Sequence, residues 1–159
     1  MKTKTIISEL TQEDLVNLLC TATEYSSWLC CYAPDRNGIV ADAQDCLEDI
    51  WAKALLAGNA IKCTDYYAEG EVYGNLPYEI DDDGNVTYKV SLTTIREGLQ
   101  KCADGTFKVA QSNYNNYGDR EKRFLARCYN DFVNDGDGWD ISEADALMQV
   151  IIFGELIYG

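Results

Sequence analysis

With 159 residues, 2 prolines, 47% hydrophobic and 11% aromatic residues, the chain has apolar surface for one core and reads as a single α+β domain, 1–159, rather than a string of modules. Its 13 Lys and Arg stand against 27 Asp and Glu, a net charge of −14, which argues against general attraction to DNA or RNA phosphates. The complete absence of histidine excludes Ser-His-Asp and Cys-His catalysis and every histidine-containing metal site.

In chain order, Thr11-Gln12-Glu13-Asp14 is a capping segment, and Leu15, Leu18, Leu19 and Ala22 form the apolar stripe of a helix running to about Thr23. Tyr25 to Tyr32 lacks helical period and reads as extended, ending in the turn residues Pro34 to Gly38. Asp45 to Ala57 predicts a second helix with Leu47, Ile50, Trp51 and Leu55 on a broad apolar face and a stop at Gly58-Asn59. Strand material follows at Ala60 to Tyr67 and Val72-Tyr73.

Leu76 to Ile80, the turn Asp81 to Asn85, and Val86 to Val90 make a hairpin, with Pro77 marking an edge strand. Ser91 or Thr93 then caps a helix through Ile95, Leu99 and Cys102 that closes at Asp104-Gly105. Thr106 to Gly118 is a polar, aromatic loop suited to binding. Asp119 caps a helix with Phe124, Leu125, Cys128 and Phe132 on one face. A final helix, Ser142 to Tyr158, is apolar almost all round, which predicts a central, structural position and a destructive effect of truncation. The expected architecture is a small antiparallel sheet packed by N- and C-terminal helices around Leu15, Leu19, Ile50, Leu55, Leu99, Phe124, Leu147 and Ile151.

The seven cysteines show no CxxC spacing and sit mostly among apolar neighbours, so they read as core thiols of a reducing compartment. The basic first residues lack the apolar run of a signal peptide, and Ala146 to Tyr158 is too short to span a bilayer, so a cytoplasmic protein without membrane contact is expected. No dinucleotide, P-loop or nucleophile-elbow motif occurs, so neither a cofactor nor an enzymatic activity is expected.

The acids are clustered: residues 35–49 hold five, 65–83 seven and 131–145 six, with Arg36 the only base inside those windows. Each segment alone reads as a solubilising surface. If they converge, they would form a negative face able to occupy a protein groove built for a nucleic-acid backbone. Asp81, Asp82, Asp83, Asp135, Asp137 and Asp140 would carry the charge and Tyr73, Tyr78 or Trp139 the aromatic anchors. The stretch Asp135 to Asp145 has the look of a calcium loop, but Ala144 stands where the bidentate acid belongs, so it reads as a turn with Ser142 as helix cap and no metal.

Arg120, Arg123 and Arg127 fall on one helical stripe away from the Phe124/Phe132 face. Beside Tyr114 and Tyr117 they could clamp the phosphates of a small nucleotide while a tyrosine stacks on its base. The plain alternative is pairing with the protein's own acids.

Two stretches, Leu18 to Cys30 and Ala144 to Gly159, resemble a family of small acidic proteins encoded by bacteriophages and prophages. The resemblance departs at Tyr25-Ser26, where relatives often carry paired glycines. It implies a phage accessory protein acting in the cytoplasm of a bacterial host, a class often directed against host defences. The expected function is therefore inhibition of a host defence protein, such as a CRISPR effector nuclease, through the acidic surface and without direct nucleic-acid contact. The alternatives are an oligomeric sponge for a nucleotide immune signal, using the arginine stripe, and a structural or regulatory phage protein.

Overall fold

A computed structural model describes residues 5–109, 117–134 and 136–158. The described residues form five α-helices and one four-stranded antiparallel sheet, the α+β architecture the sequence predicts. The elements are α1 (Gln12–Thr23), β1 (Leu29–Tyr32), α2 (Leu47–Leu56), β2 (Ile61–Asp65), β3 (Tyr78–Ile80), β4 (Val86–Val90), α3 (Leu92–Asp104), α4 (Tyr117–Asn134) and α5 (Ile141–Phe153). Strand order is β1-β2-β4-β3, which puts β3, just after Pro77, at an edge.

The period-two rule sorts β1 and β4, whereas β2 also buries Thr64 on the opposite face and β3 is exposed throughout. Leu29, Cys31, Ile61, Cys63, Val86, Tyr88 and Val90 turn inward and are buried, and α2 packs against β1 and β2. On the opposite face, Thr64 and Thr87 pair across β2 and β4 with their hydroxyls 2.7 Å apart. Helix α5 packs against α1, α3 and α4, so the most apolar helix is central, as its pattern predicts.

Helix boundaries follow cap chemistry. Thr11 accepts from Asp14 N–H while Asp14 accepts from Thr11 N–H, a reciprocal cap for α1. Ser91, rather than Thr93, caps α3. Helix α2 starts at Leu47 rather than Asp45, because Cys46 and Asp49 close a capping pair; Leu47 consequently faces solvent instead of the core. Helix α4 begins at Tyr117, which leaves Asp119 in the first turn rather than at the cap. Asp140, not Ser142, accepts from Glu143 N–H and caps α5.

Three further expectations are corrected. The strand expected over Tyr25 to Tyr32 covers only Leu29–Tyr32, because Ser26 Oγ accepts from the N–H groups of Trp28 and Leu29 and holds a turn before it. Val72-Tyr73 is not a strand; the Tyr73 N–H is taken by the Tyr88 hydroxyl at 3.0 Å. Helix α5 stops at Phe153 instead of Tyr158, since Gly154 turns left-handed with φ of 74°. Of the expected core, Leu15, Leu19, Ile50, Leu55, Leu99, Leu147 and Ile151 are buried, while Phe124 is only half-buried.

No helix among the described residues is long and apolar enough to cross a membrane.

Candidate functional site

The hairpin tip is built by its own carboxylate. Asp81 accepts from the N–H groups of Asp83 and Asn85, both at 2.9 Å, and from the Asn85 amide at 3.0 Å. The backbone bonds from Asn85 and its neighbours hold the Asp81 carboxyl below its ordinary range. Gly84, at φ 82°, completes the turn and presents its carbonyl to the Gly70 N–H at 2.8 Å. That bond pins the loop after β2 against the hairpin tip. It gathers Glu69, Glu71, Asp81, Asp82 and Asp83, all exposed, into one acidic ledge. Tyr66 and Tyr67, each about half exposed, belong to the same loop, whereas the equally exposed Tyr78 opens β3 in a groove it shares with Lys62 and Lys89. Tyr73 is less accessible than an anchor needs to be: its ring meets Phe153 edge-on and its hydroxyl donates to Glu71 at 2.8 Å.

The other acidic segments are largely spent on the fold. Asp45 pairs with Lys53 at 2.6 Å, Asp49 caps α2, and Asp35 accepts from Asn37 N–H. Asp140 is a helix cap, and Asp145 accepts two side-chain hydrogen bonds. Asp137 is exposed at the α4–α5 turn, and Asp135 lies outside the described residues. Trp139 beside them is half-buried, its ring against Phe132 and its Nε1 donating to Asn17 at 3.1 Å. Among the described residues, no hydrogen bond or ion pair links this turn to the ledge. Likewise, no group of three or more acidic or cysteine side chains is placed to hold a metal ion among the described residues.

The arginine stripe is not clear of the Phe124 face. The Arg127 guanidinium sits 5.2 Å from the centre of the Phe124 ring, and its Nε lies 3.8 Å from Glu143 Oε2. Arg120 and Arg123 are exposed on α4. Tyr114 and the side chain of Tyr117 lie outside the described residues.

A cleft of about 470 Å³ opens between the turn after α1, one face of α5 and the segment that follows Gly154. Ligand sites usually fall within about 300–1,000 Å³. Its wall is aromatic, with Tyr25, Trp28, Phe124 and Tyr158, and its one charged member is Asp145. Gln149, buried in α5, organises it. Its Oε1 accepts from Ile157 and Tyr158 N–H, both at 2.8 Å, while its Nε2 donates to Tyr158 O and to Asp145 Oδ2. One amide thus folds the terminal segment back along the helix and fixes the carboxylate. Trp28 Nε1 donates to the other Asp145 oxygen at 2.6 Å, and the Trp28 ring packs 5.4 Å from both Phe153 and Tyr158.

Cleft and ledge share a loop. Tyr67 donates to Ser27 Oγ in the cleft wall at 2.6 Å and meets the Tyr158 ring edge-on, while Asp65 accepts from Tyr158 Oη at 2.7 Å and from Tyr67 N–H. Burial raises the Asp65 carboxyl above its ordinary value despite those donors, and burial with Asp65 beside it raises the Tyr158 phenol. Four positions beyond Tyr67, Glu71 is already on the ledge. Comparison with protein-family models, curated proteins and solved structures finds no match to this chain.

Sequence reasoning did not single out Tyr66, Tyr67, Glu69 and Glu71 on the ledge, or Tyr25, Asp145, Gln149 and Tyr158 in the cleft. One signal was available: Ser142, Asp145 and Gln149, polar residues of a largely apolar helix, stand at spacings of three and four, which places them on one face.

Proposed function

We propose that this is a binding protein whose acidic ledge docks on the nucleic-acid groove of a host defence protein and inhibits it by occupying that groove. The observation that carries the reading is the Gly70–Gly84 hydrogen bond, which joins two acidic loops into one surface of five exposed carboxylates flanked by tyrosines. A row of carboxylates competes with phosphates for the same Lys and Arg side chains, and exposed tyrosines supply area that charge alone does not. The resemblance of Leu18 to Cys30 and Ala144 to Gly159 to phage and prophage proteins supports a host defence component, of the kind a CRISPR effector nuclease represents, as the target. Those two stretches meet in the cleft beside the ledge.

Capture from lysate of a bacterial host carrying such defences, followed by native mass spectrometry, tests the reading. A nucleic-acid-binding protein should co-purify at about 0.1 M salt, where the Debye length is about 10 Å, and dissociate as salt approaches about 1 M. Reversing charge at Asp81, Asp82 and Asp83 with lysine should abolish capture. Salt-insensitive capture, or capture that survives charge reversal, would sink groove mimicry. A few hundred daltons of added mass per protomer would replace it with small-molecule sequestration.

A further inference from the structure

The aromatic cleft beside the ledge has a wall unlike that of an anion site. Its charged member is the Asp145 carboxylate, and both oxygens are already aimed by donors from the wall, Trp28 Nε1 at 2.6 Å and Gln149 Nε2 at 2.7 Å. Each oxygen retains acceptor capacity, because a carboxylate offers about four lone-pair sites and two are used here. Around it stand Tyr25, Trp28, Phe124 and Tyr158, with the hydroxyls of Ser26, Ser27 and Ser142 in the same wall. A carboxylate among aromatic faces is a receptor for a cation whose charge is spread over a flat group: the rings attract it through their quadrupoles and the oxygens accept its N–H groups. A guanidinium meets both demands, whereas an ammonium is more strongly hydrated and offers no planar face. The protein already makes half of this contact internally, with Arg127 lying 5.2 Å from the centre of the Phe124 ring.

We propose that this cleft receives an arginine side chain presented by the protein's partner, with its guanidinium on the Asp145 carboxylate and its plane against the aromatic wall. The occupant is fixed by charge complementarity, since the cleft adjoins a ledge of five carboxylates on a chain of net charge −14. A surface drawn to that ledge is basic. Groups of this kind dominate phosphate-binding grooves. Tyr25 lines the cleft and is 74% exposed, so it gains the most from contact with an entering side chain. The proposal deepens the reading of the ledge, yet the cleft's recognition of the cation is measurable without any partner.

The probe is N-acetyl-arginine methylamide, titrated into the full chain while the indole N–H resonance of Trp28 is followed by NMR. N-acetyl-citrulline methylamide, a neutral analogue of nearly the same shape, is the control. Saturable shifts centred on Trp28 are expected with arginine, and citrulline should bind about tenfold more weakly or less. Tyr25→Ala should weaken arginine binding several-fold without lowering the melting temperature, which keeps the test sound if Asp145→Asn fails to fold. Asp81→Asn, Asp82→Asn and Asp83→Asn together should leave the arginine titration unchanged while weakening partner capture, so failure of the cleft and failure of the ledge are told apart. Equal binding of arginine and citrulline, an absence of saturable shifts, or indifference to Tyr25→Ala overturns the proposal.

Discussion

Trp28 Nε1 and Asp145 Oδ1 meet at 2.6 Å although 117 positions separate them in the chain. The bond ties the start of the sheet to the central helix at a partly buried point, where an amide from Gln149 occupies the second oxygen. Trp28→Phe keeps a ring against Phe153 and Tyr158 but deletes the donor, and should cost about 1 kcal/mol. Asp145→Ala orphans Trp28 Nε1 and takes one acceptor from Gln149, and should cost about 1–3 kcal/mol. Urea denaturation ranks the two; an equal or reversed order would show that the carboxylate is not the shared anchor.

Glu143 gives the fold a pH dependence opposite to that of an ordinary acid. It is 3% exposed, its oxygens accept no hydrogen bond among the described residues, and it faces Asp131 and Asp140, with the Arg127 guanidinium at 3.8 Å. Burial, then the adjacent Asp131 carboxylate, raises it from 4.5 to about 7. The folded state therefore holds this proton more tightly than the unfolded chain. Below about pH 4.5 both states are protonated and nothing is lost; between 4.5 and 7 only the unfolded chain releases the proton and stability falls; above 7 the loss is constant. Glu143→Gln should remove that decline, so the difference between wild-type and variant urea midpoints, measured from pH 4 to 8, isolates the group. A difference that does not change with pH would mean that Glu143 titrates as an exposed acid.

Local signals were the readable part of this sequence. Thr11 and Ser91 as caps, the Asp81 to Asn85 turn and the inward alternation of Val86, Tyr88 and Val90 each depend on neighbours a few residues away. Some errors were local too, at the Cys46–Asp49 cap, the Ser26 turn and the Gly154 stop, and others arose where distant groups decide. Beyond the Gly154 stop of α5, Gln149 accepts from the Ile157 and Tyr158 N–H groups and folds that segment back along the helix. Arg127 leaves its stripe because Phe124 and Glu143 lie on the side it was expected to avoid. The ledge was half visible, as a run of acids at a turn; its other half depends on the bond between Gly70 and Gly84, which spacing alone does not predict.

Alkylation should sort the cysteines by environment. Cys31, Cys63, Cys102 and Cys128 are buried. A hydrogen bond to Cys63 with burial pushes Cys31 well up, and burial raises Cys102 to about 12. Cys30 and Cys46 are exposed, but the Cys46 thiol donates to Asp49 Oδ2 at 3.1 Å, and that bond raises its pKa. With iodoacetamide at neutral pH, Cys30 should be modified first and Cys46 more slowly, with the four buried thiols reacting only in denaturant. Mass spectrometry of timed samples reads the order, and modification of Cys102 in the native protein as fast as Cys30 would contradict the packing of α3.

At Gly98 the backbone of α3 runs against Ile151 of α5. A methyl group built on its backbone would lie 2.5 Å from Ile151 Cγ1 and 2.6 Å from Ile151 Cα. The first atom can swing aside, but the second belongs to the backbone of the most buried helix, so relief requires the two helices to part. Overpacking of this kind costs about 1–3 kcal/mol. Because α5 also presents Asp145 and Gln149 to the cleft, Gly98→Ala should lower the melting temperature and disturb the Trp28 indole resonance. Gly58→Ala provides the contrast: nothing lies within 4 Å of the added methyl, although φ of 90° there still carries backbone strain. A Gly98→Ala protein that retains both wild-type stability and the unperturbed Trp28 signal would mean that α3 and α5 are not in van der Waals contact at Ile151.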